Sequence, residues 1–210
     1  MFITLEGIDG SGKTFHIPSL VEYLREKGYT VYPTREPSGT LIGDQIRKIV
    51  LDLKNAQLNH HAETLLFLAA RAQFVEEINE LLKSGKKYIV ISDRFADSTI
   101  AYQGYGHKQD LDVIRALNQY AANNLKPDLT ILFNLDPEIG LKRKTELNRI
   151  DAYSLEFHRR VHDGYLELAK NEPGRWAIID ASQSRENVQA ALRKVILERI
   201  HAQEDASPLK

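Results

Sequence analysis

Gly7-Ile8-Asp9-Gly10-Ser11-Gly12-Lys13-Thr14 stands between the apolar run Phe2-Ile3-Thr4-Leu5-Glu6 and an amphipathic stretch that continues to Gly28. The eight residues match G-x-x-x-x-G-K-[ST] at every defined position, and a strand before with a helix after is the context that pattern needs. Its glycines let the backbone wrap close around a phosphate with several N–H groups turned inward, and the helix N-terminus adds partial positive charge. Lys13 brings a full charge toward β- and γ-phosphates, and the Thr14 hydroxyl is placed to coordinate magnesium. All eight, from Gly7 through Ile8, Asp9, Gly10, Ser11, Gly12 and Lys13 to Thr14, are candidate nucleotide-binding residues. Phe15-His16-Ile17-Pro18 follows, and Pro18 removes an N–H in the first turns, so a late helix start or a kink is expected.

Outward from this loop, apolar runs alternate with amphipathic segments along the whole chain, the signature of repeated βα units. Strands are expected near 2–6, 30–33, 88–92, 129–134 and 176–179. FITLE, YIVIS and LTILFNL are nearly continuous apolar runs, as in parallel strands covered on both faces. Helices are expected at about 12–27, 40–53, 60–83 (closed by Gly85), 110–123, 137–146, 152–170 and 185–203. Together they predict an α/β fold of the three-layer P-loop NTPase type: a five-stranded parallel sheet flanked by helices, with a short lid segment at about 140–151. With 210 residues there is room for one domain, 1–203, followed by a polar tail, 204–210, expected to fray.

Composition narrows the chemistry. The 28 Lys and Arg against 29 Asp and Glu leave a formal charge of −1, so no global field draws nucleic acid or acidic membrane to the chain. Zero Cys excludes disulfides, thiolate nucleophiles and Cys-ligated zinc. His158 and His162 share a helical spacing but lack the Glu of a zinc-protease motif, and they read as a solvated helix face. No apolar run approaches the length of a membrane span, and a cytoplasmic location is expected.

A phosphate loop alone does not separate a motor, a switch and a kinase. Thr34-Arg35-Glu36-Pro37-Ser38-Gly39-Thr40 follows the second strand, and Ser92-Asp93-Arg94-Phe95 with Asp97-Ser98-Thr99-Ile100-Ala101-Tyr102-Gln103-Gly104-Tyr105-Gly106 follows the third. Both lie at carboxyl ends of parallel strands, where ligands bind. Lys142-Arg143-Lys144-Thr145-Glu146-Leu147-Asn148-Arg149-Ile150-Asp151 is polar and basic between two helical patterns. Arg94, directly after a buried strand, is suited to grip a phosphate bidentately. Phe67 and Arg71 share one helix face, and a charge among such apolar neighbours needs a partner.

On REP, LLFLAARAQ, DRF, DSTIAYQGYG and PDLTILFNLDPE, the chain resembles the thymidylate kinases, from Phe2 to about Ile200. It is most similar to their bacterial and archaeal branch, with catalytic basic residues in the lid and no arginine in the phosphate loop. The resemblance implies phosphorylation of dTMP to dTDP with ATP and Mg2+, serving dTTP synthesis, in a homodimer joined through apolar faces of 60–83 or 110–123. It implies Lys13, Arg94, Arg149 and Arg143 as catalytic residues, Arg149 the leading lid arginine. It places the thymine against Phe67 and Arg71, Thr99 and Gln103 near the base with Ser98 beside them, and Tyr102 near the sugar 2′ position. Asp9 meets the acceptor sugar and, with Thr14, the magnesium shell; Arg47 lines the acceptor site. The chain departs from the family pattern at Phe15-His16, Ser38 and Asn148. A kinase for another pyrimidine monophosphate, or an acceptor-free ATPase switch, are the alternatives.

Overall fold

The computed structural model describes residues 1–84 and 87–205. Five strands, β1 (Phe2–Glu6), β2 (Thr30–Arg35), β3 (Tyr88–Asp93), β4 (Leu129–Asn134) and β5 (Trp176–Asp180), form one sheet in the order β2-β3-β1-β4-β5. Every pairing is parallel, with Phe2 opposite Val90 and Ile3 opposite Leu129. The helices are α1 (Lys13–Glu26), α2 (Leu41–Leu51), α3 (His60–Lys83), α4 (Ala96–Thr99), α5 (Leu111–Ala121), α6 (Pro137–Lys142), α7 (Leu155–Asn171) and α8 (Arg185–Asp205).

The period of two in a strand distributes the apolar runs to both faces. Ile3, Leu5, Ile89 and Ile91 join Leu20, Leu24, Val161, Tyr165, Leu192 and Ile196 in the larger core. Phe2 and Val90, from the same strands, turn the other way onto Phe74, Val75 and Ile78 of α3. This two-sided burial is why the strand runs carry no clean polar alternation. The expected five-stranded parallel sheet between helical layers is the one observed.

Several local expectations are corrected. α1 begins at Lys13 and runs through Pro18, so there is no late start. α6 stops at Lys142, since Arg143 and Lys144 turn their N–H groups back onto Ile139, Gly140 and Leu141. Residues 96–106 form the four-residue α4 followed by a wide π-type turn, Ile100–Gly106. That turn packs so closely on α7 that a Cβ at Gly106 would lie 2.6 Å from Phe157. His158 is buried rather than solvated, and His162 is half-buried with Nε2 2.8 Å from Asn134 Oδ1. α8 continues to Asp205, so 204 and 205 are helical; 206–210 and the expected cap Gly85 lie outside the described residues.

Candidate active site

The loop after β1 closes on itself. Lys13 Nζ donates to the Gly7 and Ile8 carbonyls, each at 2.9 Å, and to Ser11 Oγ at 3.2 Å. Gly10 and Gly12 have φ of 76° and 96°, the left-handed region glycine occupies at little cost. A Cβ at Gly10 would sit 2.0 Å from the Gly140 carbonyl oxygen, so α6 rests directly on the loop. Burial, reinforced by the Arg94 charge, lowers the Lys13 ammonium to about 8.

Arg94, at the carboxyl end of β3, takes a positive φ of 74°. Its Nη2 donates to Asp9 Oδ1 at 3.0 Å and to the Tyr102 hydroxyl at 3.2 Å, and Tyr102 in turn donates to Asp9 Oδ2 at 2.8 Å. Burial alone would raise the Asp9 carboxyl, but Arg94 and Lys13 outweigh it and hold Asp9 well below the usual range. Asp9 is therefore an ionised oxygen donor at neutral pH. Thr14 Oγ1 donates to Asp93 Oδ2 at 2.5 Å beside it.

A cavity of about 450 Å³ opens from the loop residues Asp9, Lys13 and Thr14 toward α2, α3 and α4. All the residues placed at the acceptor by sequence line it: Asp9, Arg47, Phe67, Arg71, Arg94, Ser98, Thr99, Tyr102 and Gln103. Arg35, Arg47 and Arg94 stand on the same wall, and burial together with its two like-charged neighbours lowers the Arg47 guanidinium. Such mutual repulsion is relieved by a bound polyanion. Phe67 is half-buried and offers an aromatic wall.

Arg71 has the partner that its setting demands, and it is Glu36. Nη2 meets Glu36 Oε2 at 2.5 Å and Nε meets it at 3.0 Å, while Nη1 donates to Thr99 Oγ1 at 2.8 Å and Asn118 Oδ1 at 2.5 Å. Glu36 and Asn118 were not legible as site residues, although Glu36 lies in the quoted REP string. Glu6 was missed too. Its Oε1 accepts from Phe95 N at 2.7 Å, and Oε2 accepts from Ser98 Oγ at 2.6 Å and the Tyr165 hydroxyl at 3.0 Å. Burial and the neighbouring Asp97 raise Glu6 to about 7 against the pull of Arg94.

The lid residues divide. Arg143, Lys144 and Asn148 line the cavity. Arg149 does not: only 4% exposed, it donates to Val50 O at 2.8 Å, the Tyr153 hydroxyl at 2.6 Å and Glu63 Oε2 at 2.5 Å. Glu63 holds it against α3 and is itself lowered to about 2, since its bonds from His107, Gln103 and Arg149 overcome burial. Arg143 instead reaches the Ala181 carbonyl at 3.4 Å. Asn148 is held in place by the lid backbone, its Oδ1 accepting from Ile150 N at 2.8 Å. The departures at Phe15 and His16 dock α1 onto α8: His16 Nδ1 donates to Gln189 Oε1 at 2.8 Å, and the Arg185 guanidinium lies 4.3 Å from the Phe15 ring centre.

A phosphate loop facing an arginine-walled cavity across the carboxyl ends of β1, β2 and β3 defines a P-loop phosphoryl transferase with a site for a second substrate. Within that class, the family model described as thymidylate kinase matches residues 5–192, and the chain belongs to that family. The thymidylate kinase of Exiguobacterium sp. is 46% identical over 204 residues, with 95% of each chain aligned. That of Geotalea daltonii is 46% identical over 210 residues, covering 95% of this chain and 98% of its own. The crystal structure of thymidylate kinase from Ehrlichia chaffeensis superposes with a TM-score of 0.75 at 39% identity, over 93% of this chain and 98% of that one.

Proposed function

We propose that the protein transfers the γ-phosphoryl group of ATP directly to dTMP, giving dTDP for dTTP synthesis. The observation that carries this reading is the single cavity joining Lys13 to Phe67, Arg71 and Gln103 with Arg94 between them. The dTMP phosphate has a second pKa near 6 and is a ready nucleophile at neutral pH, so no general base is needed. The protein's work is to hold two polyanions in line and stabilise charge on the group in transit. Lys13 and the loop N–H groups hold the donor phosphates; Arg94 and Arg47 hold the acceptor phosphate. Phe67 stacks on thymine, Thr99 and Gln103 meet its edge, Arg71 lines the base end of the cavity with its N–H groups held by Glu36, Thr99, Asn118 and the Phe95 carbonyl, Ser98 supports Arg94, and Tyr102 lies beside the sugar 2′ position.

Arg143 and Lys144 stand first among the lid cations in this reading because they line the cavity. Arg149 fastens the far end of the lid to α3 through Glu63. The Thr14 hydroxyl and the Asp9 and Asp93 carboxylates form an all-oxygen donor set suited to Mg2+. When bound, the ion would neutralise charge on the β- and γ-phosphates.

The test is an ADP-release assay with dTMP, dUMP, UMP, CMP and AMP and with no acceptor. The expected order puts dTMP first. Preference for UMP or CMP would make the protein another pyrimidine monophosphate kinase, and dominant acceptor-independent hydrolysis would sink the kinase reading.

We also propose a homodimer. Leu65, at 57% exposed on α3, and Leu117 and Tyr120 on α5 are apolar side chains left open to solvent on the two helices. Light scattering should give twice the chain mass, and a monomer mass would contradict it. A cytoplasmic location belongs to the same reading, as that of an enzyme consuming ATP. Among the described residues no helix is long and apolar enough to cross a membrane.

A further inference from the structure

We propose that Glu6 is a positioning residue for phosphoryl transfer: it anchors one end of the Arg94 guanidinium so that the opposite end is presented to phosphate. This rests on the reading above that Arg94 grips the acceptor. Glu6 ends the central strand, is fully buried, and touches neither substrate region directly; it is absent from the cavity wall.

Its action runs along two routes. The first is side-chain to side-chain. Arg94 Nη1 donates to Ser98 Oγ at 3.1 Å and to the Tyr165 hydroxyl at 3.0 Å. Those hydroxyls need lone pairs for Nη1, so their own protons must go elsewhere; Glu6 Oε2 accepts from both, and the two hydroxyls lie 2.7 Å from each other. The second route is through the backbone. Arg94 holds φ at 74°, a conformation non-glycine residues rarely adopt, and the next N–H, that of Phe95, is fixed on Glu6 Oε1. The guanidinium thus has a fixed end, Nη1, seated on Ser98 and Tyr165. Its other end, Nη2, faces Asp9 and Tyr102 at the open side of the site.

Replacing the carboxylate by an amide of the same shape puts N–H groups where acceptors are required. An amide offers one oxygen for the two acceptor positions, so either the Phe95 N–H or the Ser98 and Tyr165 hydroxyls meet an N–H instead, and one of the two routes to Arg94 is lost. An error of an ångström in a reacting or clamping group can cost about 10²-fold.

The experiment is a double-mutant cycle of Glu6→Gln and Arg94→Lys, read as KM for dTMP and KM for ATP. Glu6→Gln is expected to raise the dTMP KM by roughly 10- to 100-fold with the ATP KM unchanged, and to add less than twofold once Arg94 is Lys. Additive effects, or equal losses for both substrates, would overturn the proposal. An Arg94→Lys protein with an unaltered dTMP KM would instead remove Arg94 from the acceptor site, and the role of Glu6 with it. Should Glu6→Gln fail to fold, Tyr165→Phe removes the bridging hydroxyl and is held to the same split and the same non-additivity.

Discussion

Glu36→Ala is expected to cost about 3–5 kcal/mol of stability, the usual penalty for stripping one partner from a buried ion pair. Arg71 is 2% exposed and Glu36 5% exposed, so little water reaches the pair even where it borders the cavity. Two Arg71 nitrogens bond to Glu36, and the remaining donors are already committed to Thr99, Asn118 and the Phe95 carbonyl. Burial raises the Glu36 carboxyl against the pull of Arg71. For a chain of this length the penalty corresponds to a Tm lower by roughly 6–20 °C. Calorimetry of Glu36→Ala beside Glu36→Gln, which keeps one acceptor, measures it. A drop under about 3 °C in the alanine variant would mean that the pair contributes little.

The second large effect is kinetic. Lys13→Ala is expected to lower kcat by about 10²–10³-fold, the loss typical of one preorganised electrostatic group. With its pKa lowered to about 8, Lys13 is charged below that pH and neutral above it. In the wild type, kcat/KM for ATP, which reports the free enzyme, should therefore fall as pH rises through about 8. Lys13→Arg keeps its charge throughout and should lose that alkaline limb whatever its absolute rate. A wild-type profile flat to pH 10 would contradict the assignment.

The fold and the residues that line the cavity are legible because each rests on a local pattern. The phosphate loop has a fixed spacing, the parallel strands have continuous apolar runs, and Phe67 with Arg71 share a helix face. What remained hidden is made by distant residues meeting in space. Glu36 and Arg71 belong to different segments, as do Glu6 and Tyr165, and nothing in either string announces its partner. Arg149 shows the same limit from the other side. A basic lid run does not reveal which cation will face the cavity, because Glu63 of α3 claims Arg149 and leaves Arg143 and Lys144 to line the wall.

The central place of β1 has a consequence during synthesis. Both of its neighbours, β3 at Val90 and β4 at Leu129, are made long after it. At ribosomal speeds of about 5–20 residues per second, Phe2-Ile3-Thr4-Leu5 waits on the order of 10 s before it can pair on both edges. Until β4 is made, the emerging chain carries an apolar strand with at least one open edge. The strand that later carries the phosphate loop is thus the segment a nascent-chain chaperone has most reason to shield.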